Sequence, residues 1–522
     1  MRAIDYFDKG ADAYPERTAL IDREIRYTYR EAKELTERIA RALVAAGMRP
    51  EERVAIYSPN DARILLCWLG LLRAGGVWVP VNARNAVEAN AEYLKYVETS
   101  WLFYHGSFQE PVEEFKRRVP TLRHFVCLDA EQGGNPSLEK FMAQAGAAEL
   151  ADWGDARGNP DRLMGLVPTG GTTGAAKGVM VTNLAWGTML EMASEYWKGD
   201  QADPVCLNTA PLSHAAGVVA FAMLPLGATN VVMPGFDALE VLKNIERYRV
   251  THLFLPPTAF YALLAHPELG NFDYSSLRVM LLGAAPVSPD KLKKGIEVFG
   301  PCVCQCYGQT EAPMLMTFLD AKTLAAAAAG DHPKRLRSCG KPTAAVRLAL
   351  MDENGALLPP NQPGEIVARG SLVNPGYYNL PEATAETRTH GWHHTGDIGY
   401  RDEDGYFYIV DRKKDMIITG GFNVFCTEVE AAVMELPQVR ECAVIGVPDA
   451  KWGEAVKAIV VFRDGEVLTE AEIIAHCKSR LGGVKAPKSV DFREELPKTP
   501  AAKMDKKVLR APYWAGRERS VH

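Results

Sequence analysis

The sequence predicts an α/β protein: a large N-terminal domain of helix-covered mixed or parallel sheets, a small mostly β subdomain, and a small α+β C-terminal domain. Three observations predict it. Short apolar runs alternate with stretches of helical periodicity over most of the chain, the rhythm of parallel strands covered by helices. From about Ala345 to Val410 that rhythm gives way to alternating runs joined by hairpin-type turns at Asn354-Gly355 and Asp404-Gly405. After the charged run Asp411-Arg412-Lys413-Lys414-Asp415, two helical stretches and two apolar strands make a unit of ordinary domain size.

Length and composition set the outer limits. A chain of 522 residues is too long for one ordinary core, and several domains are expected. Hydrophobic content of 47% with 24% charged residues fits a soluble globular protein. The net charge of −6 argues against nucleic acid as a partner. Lys503, Lys506, Lys507 and Arg510 cluster locally, and their spacing reads as a solvated helix face. The opening decapeptide is acidic where a secretory segment is apolar, and the longest apolar run, Ile64 to Leu72, stops at Arg73. A cytoplasmic protein without a transmembrane segment is expected. The ten cysteines follow no disulfide pattern. Cys302, Cys304 and Cys306 alternate, which places them on one face of a strand rather than around zinc.

In chain order, Thr18–Asp22 reads as a strand, Glu31–Ala46 as a helix ending at Gly47, and Arg53–Tyr57 as a strand. A helix through Ile64–Arg73 and a strand over Val77–Val81 follow, separated by Gly75-Gly76. Later, Thr251–Leu255 and Arg278–Leu282 are apolar strands, and Cys302–Cys306 is a third. Their trailing turns, Pro256-Pro257, Gly283-Ala284-Ala285-Pro286 and Tyr307-Gly308, lie where open α/β sheets bind ligands. Capping boxes at Thr427/Glu430 and Thr469/Glu472 open two C-terminal helices, which Pro437 and Gly482 close. Ala443–Val447 and Val456–Phe462 are the strands between them.

Val167 to Gly178 reads V-P-T-G-G-T-T-G-A-A-K-G. Glycines let backbone N–H groups approach an anion, threonines add donors and Lys177 adds charge, so the chemistry suits a polyphosphate. The spacing is not that of a Walker loop, because Ala176 precedes Lys177 and Gly178 follows it.

Further motifs follow in order: P-L-S-H-A-A-G (211–217), L-G-A-A-P (282–286), Y-G-Q-T-E (307–311), H-T-G-D (394–397), D-R-K-K-D (411–415), I-T-G-G-F-N-V (418–424) and P-K-T-P-A-A-K (497–503). Taken together, their order and spacing resemble the adenylate-forming superfamily of acyl-CoA synthetases, peptide-synthetase adenylation domains and luciferases. Within it the chain looks most like a fatty or aryl acyl-CoA ligase.

That resemblance implies a two-step reaction. A carboxylate attacks the α-phosphate of ATP to give acyl-AMP and pyrophosphate, and coenzyme A then displaces AMP. It implies Mg2+, ATP and coenzyme A as cofactor and co-substrates, a carboxylic acid as the other partner, and leaves a homodimer open. It implies a large domain over residues 1–410 that includes a β-barrel-like subdomain at 345–410. A hinge at 411–415 and a mobile C-terminal domain at 416–522 complete the arrangement.

The implied nucleotide contacts are Thr169, Gly170, Gly171, Thr172, Thr173, Gly174, Lys177, Gly283, Ala284, Ala285, Tyr307, Gly308, Asp397 and Arg412, with Tyr307 on adenine and Asp397 on the ribose. Thr310 is implied at the α-phosphate, Glu311 at magnesium, and Lys503 as the catalytic cation of adenylation. Lys414 occupies the hinge. Thr419, Gly420, Gly421 and Phe422 would line the coenzyme A channel, and His214, Val218, Met223 and Met314 the acyl pocket. The absence of arginine from that pocket weighs against a dicarboxylate. Gly170, Ala176 and Ala502 depart from the usual Ser, Pro and Gly; the first two predict a glycine-rich loop that is mobile without nucleotide, and alanine at 502 is strained if that position needs a positive φ. Two other readings compete: an adenylation enzyme loading a separate carrier protein, and a non-catalytic nucleotide binder.

Overall fold

The computed structural model describes residues 1–146, 148–150, 159, 161–169, 176–198, 203–498 and 504–515. The chain packs into two compact units, Met1–Leu348 with Ala368–His393, and Ala349–Val367 with His394–His522. The chain changes unit after residues 348, 367 and 393. The physical reason lies in residues 374–378, which hydrogen-bond to the strand Lys177–Thr182 and to the Thr310-Glu311 main chain of the first unit.

The first unit holds two sheets. One runs in the spatial order His124–Cys127, Trp101–Tyr104, Arg53–Tyr57, Val77–Pro80, Leu163–Thr169, Lys177–Thr182. Its neighbours are parallel except for the last pair, which is antiparallel and brackets the glycine-rich run. The other has nine strands, with a parallel centre from Thr18–Asp22 to Val303–Gln309 and antiparallel edges. Mixed sheets of this kind are what the strand–helix alternation predicts.

Local chemistry fixes the element ends. Thr28 caps the helix Tyr29–Ala45 and Glu31 closes the capping box, so the helix starts two residues earlier than its apolar spacing suggests. The Asp61 carboxylate caps Ala62–Arg73, whose residues from Ile64 to Leu72 are all buried. Trp68 of that helix stacks on Trp78 at 3.8 Å between centroids, a large share of the apolar contact between helix and sheet.

The second unit also holds two sheets. Arg347–Met351, Gly364–Arg369, His393–Arg401 and Phe407–Arg412 form a four-stranded row. Among the described residues the two outer strands of this row do not pair with each other, so the expected barrel-like subdomain is corrected to an open four-stranded sheet. The other sheet contains Phe422–Val424, Ile417–Thr419, Gly453–Phe462, Val439–Asp449 and Ser489–Phe492. The helices Cys426–Met434 and Glu470–Lys485 bury Val429, Val433, Ile473 and Cys477 against it.

Thr469 and Glu472 form the expected capping box. Thr427 does not cap. Its helix already begins at Cys426, and its hydroxyl donates to the Val410 carbonyl instead.

Candidate active site

The first unit gathers the phosphate-loop stem and the Y-G-Q-T-E motif around one tyrosine. Thr169 ends one strand and Lys177 starts its antiparallel partner, and the two residues are in register. Tyr377 forms a β-bridge with Val179 two residues further along, and Lys177 Nζ lies 5.0 Å from the Tyr377 ring centroid. The Tyr377 hydroxyl donates to Glu311 Oε1 at 2.6 Å, with both side chains buried. Burial, then the Glu311 carboxylate, pushes the Tyr377 phenol far above its usual range. The hydroxyl thus stays a donor at any physiological pH.

Asn374 holds the motif's backbone. Its N–H donates to the Glu311 carbonyl at 2.8 Å and its Nδ2 to the Thr310 carbonyl at 3.1 Å.

Tyr307 and Gly308 occupy the end of Val303–Gln309, where the ladder shifts register between Tyr307 and Gln309. A Cβ on Gly308 would stand 2.4 Å from the Met314 nitrogen, so only glycine fits this bulge. Met314 itself has φ of 57°. The adjacent parallel strand, Val279–Leu282, leads into Gly283 and then Ala284, an alanine with φ of 71°. Such backbone costs about 1–2 kcal/mol and clusters at functional turns. Of the three alternating cysteines, Cys304 is buried on Val303–Gln309, Cys306 is half-buried there, and Cys302 is buried just before that strand begins.

His214 caps the helix Ala215–Met223, which carries Val218, and His214 Nδ1 meets Ser213 Oγ at 3.0 Å. His214 is exposed to solvent, and the protein packed around it, then the Arg84 cation, holds its pKa below the usual histidine value. Arg84 is a residue that sequence reasoning missed. It follows a strand far away in sequence, and its proximity weakens the argument drawn from an arginine-free pocket. Met223 is fully buried at the opposite end of that nine-residue helix, about 13 Å away by helical rise.

The second unit gathers the ribose and hinge motifs. Asp397 and Arg412 face each other across two antiparallel strands, with Arg412 Nε 2.6 Å from Asp397 Oδ1. Thr395 Oγ1 accepts from the Asp397 N–H at 3.1 Å and donates to the Ile366 carbonyl at 2.7 Å, which sets the turn. Glu365 supports the same turn from the neighbouring strand, binding the Gly396 N–H at 3.0 Å, His394 Nδ1 at 3.0 Å and Lys413 Nζ at 3.1 Å.

Burial, with the positive Arg412 next, lowers Lys414 to about 8. Burial raises Asp411 to about 6 despite the nearby Lys506. Lys506 bonds Glu430 at 2.7 Å and is nearly buried, and Arg510 binds Asp415 and donates to the Lys414 carbonyl at 3.2 Å. For Lys506 the solvated-face reading is therefore corrected: its cation neutralises buried and half-buried carboxylates. Thr419 and Phe422 pair across a two-residue turn in which Gly420 and Gly421 have φ of 55° and 81°. A Cβ on Gly420 would stand 2.6 Å from the Trp452 ring.

Gly170, Gly171, Thr172, Thr173, Gly174 and Lys503 lie outside the described residues, as does the expectation of a mobile loop. Both flanks of Lys503 are described: Lys498 bridges Met504, and the Asp505 N–H donates to the Pro497 carbonyl at 2.9 Å.

The motifs expected at a nucleotide thus fall at strand ends and turns in both units. The AMP-binding enzyme family matches residues 7–378, and its C-terminal domain matches residues 428–503. The chain belongs to the AMP-binding enzyme family. It is 36% identical over 507 residues to a feruloyl-CoA synthase from Amycolatopsis sp., covering 96% of both chains. It is 45% identical over 370 residues to a medium/long-chain-fatty-acid–CoA ligase from Mycobacterium tuberculosis, covering 69% of this chain and 63% of that relative. An amide bond synthetase from Marinactinospora thermotolerans superposes with a TM-score of 0.87 at 29% identity, covering 98% of this chain and 100% of that one.

As an AMP-binding enzyme the chain is an ATP-dependent acyl-CoA ligase working through an acyl-adenylate. The family uses ATP, CoA and Mg2+. Among the described residues, no helix is long and apolar enough to cross a membrane.

Proposed function

We propose that the chain activates a fatty or aryl carboxylic acid as its acyl-adenylate and transfers the acyl group to coenzyme A. The observation that carries this reading is the Tyr377 connection: one buried residue touches both the stem of the glycine-rich run and the Glu311 carboxylate. The relatives' named substrates, ferulate-type and medium- or long-chain fatty acids, support the acid class. Tyr307 stacks on adenine, with Gly308 and Gly283 to Ala285 as the walls beside it. Asp397 accepts the ribose hydroxyls while Arg412 neutralises it. Thr169, the glycines and threonines at 170–174 and Lys177 hold the β- and γ-phosphates, and Thr310 donates to the α-phosphate.

The buried Glu311 carboxylate, with Oε1 bonded to the Tyr377 hydroxyl, is a hard oxygen donor of the kind Mg2+ takes. Glu311 would hold that ion, which supplies charge neutralisation on the phosphates. Lys503 delivers positive charge to the α-phosphate as the carboxylate attacks, and no covalent enzyme intermediate is needed.

His214, Val218, Met223 and Met314 border the acyl group. Residues 411–415 act as the hinge between a domain over residues 1–410 and a mobile one over 416–522, with Lys414 absorbing the dihedral change between the two half-reactions. Thr419 to Phe422 then line the thiol path, where Gly420 and Gly421 leave room for pantetheine. The protein works in the cytoplasm, and self-association as a homodimer is open to sedimentation.

The test is AMP release over a panel of fatty, aryl and dicarboxylic acids, with and without coenzyme A. Release that requires both a fatty or aryl acid and coenzyme A is expected. Release without coenzyme A but with a carrier protein or an amine would replace the acceptor, and no release with any acid would refute the reading.

A further inference from the structure

Tyr377 stands outside every motif that the reaction uses, yet its contacts converge on Glu311. Its hydroxyl occupies Oε1 at 2.6 Å in a buried setting, where an uncompensated carboxylate rotates at high energetic cost. Arg388 lies near both Tyr377 and Glu311. Burial, opposed by those two neighbours, lowers its pKa, and among the described residues its Nε has no hydrogen-bond partner.

The tyrosine backbone is fixed independently. Met180 N–H donates to the Gly376 carbonyl at 2.9 Å, and Tyr378 N–H donates to the Gly178 carbonyl at 2.8 Å. The Thr384 hydroxyl accepts from the Tyr377 N–H at 3.0 Å. A ring anchored in this way cannot follow Glu311 if the carboxylate turns.

We infer that Tyr377 is a positioning residue for the adenylation step. Its hydroxyl holds one oxygen of Glu311 so that the other is presented to a divalent cation, and its backbone ties that orientation to the strand leaving the glycine-rich run. The inference rests on Glu311 as the metal carboxylate. It predicts that losing one phenolic oxygen weakens the cation while leaving the fold intact, because a phenylalanine ring keeps every backbone and packing contact.

The experiment is titration of the equimolar Mn2+–ATP complex against the full-length protein, read by the enhancement of water-proton relaxation that accompanies binding of the complex to the protein, alongside thermal melting. Tyr377→Phe should raise the half-saturating Mn2+–ATP concentration about tenfold, as losses of groups that orient a metal ligand do, with cooperative melting retained and lowered by no more than the loss of one buried hydrogen bond. Glu311→Gln should raise it at least as far, and the double variant should bind no worse than Glu311→Gln alone. If Glu311→Gln weakens Mn2+–ATP binding and Tyr377→Phe does not, the positioning role is overturned while the Glu311 assignment stands. If neither variant changes Mn2+–ATP binding, the Glu311 assignment fails and takes the inference with it. Additive losses in the double variant, or loss of cooperative melting in Tyr377→Phe, would make Tyr377 a structural residue only.

Discussion

Replacing Lys414 with methionine should stabilise the second unit at neutral pH. The substitution keeps an unbranched apolar stem and removes a cation. In the folded chain that cation is held at about 8 against an ordinary value of 10.5, first by burial and then by the Arg412 guanidinium. The folded pKa is the lower one, so between those two values the folded state binds fewer protons than the unfolded state. Stability therefore rises with pH across that window, and below about 8 the whole penalty is present. At about 1.4 kcal/mol per pH unit the ceiling is roughly 3 kcal/mol. Partial solvent access reduces this to about 1–2 kcal/mol. For a unit of this size that corresponds to a gain of about 3–6 °C in melting temperature. Melting of the wild-type and Lys414→Met proteins at pH 7 and pH 10.5, followed by differential scanning calorimetry, checks it. The gain should be present at pH 7 and shrink towards zero at pH 10.5. An equal gain at both pH values, or none at pH 7, would refute the electrostatic account of this position.

Three further outcomes are expected. Lys503→Ala should lower carboxylate-dependent ATP–pyrophosphate exchange by about 10²–10³-fold, the loss seen when one preorganised charge donor is removed; an intact exchange rate would reassign the catalytic cation. Asp397→Asn should weaken ATP binding by about 1.5–3 kcal/mol through loss of charged hydrogen bonds to ribose, measured by calorimetry, with a smaller loss for 2′,3′-dideoxy-ATP. Gly420→Ala forces a Cβ to 2.6 Å from Trp452 at φ of 55°, so thioester formation should slow while pyrophosphate exchange is retained, as single-turnover assays of each half-reaction would reveal.

Where a property is carried by neighbours in sequence, it was legible. Thr18–Asp22 and Arg53–Tyr57 have the predicted bounds, since each is a short apolar run between turn residues. The turn at Gly420-Gly421 follows from two glycines between apolar strands. The Asp397–Arg412 contact came through the family resemblance, with each residue named separately. What sequence could not supply is long-range pairing. Tyr377 and Glu311 are 66 positions apart, and nothing in N-P-G-Y-Y-N announces a partner. Arg84 reaches the vicinity of His214 from a different sheet. Lys506 has the spacing of a solvated face, but half-buried Glu430 and buried Asp411 draw it inward. Thr427 has capping-box spacing, yet the helix starts one residue earlier and the hydroxyl finds Val410.

The four-stranded sheet of the second unit has a consequence for anyone who recombines this protein with a relative. Its inner strands, Gly364–Arg369 and His393–Arg401, are separated in sequence by a stretch that belongs to the other unit. A crossover at the charged linker would give the Phe407–Arg412 strand one parent and the residues beyond it another, and Asp411 would lose its native contact with Cys426. A fragment starting at residue 411 would also lack Glu365, the carboxylate that holds Lys413. Chimaeras should carry residues 349–367 and 394–522 from the same parent, which makes this protein a case for two-segment exchange rather than a single splice.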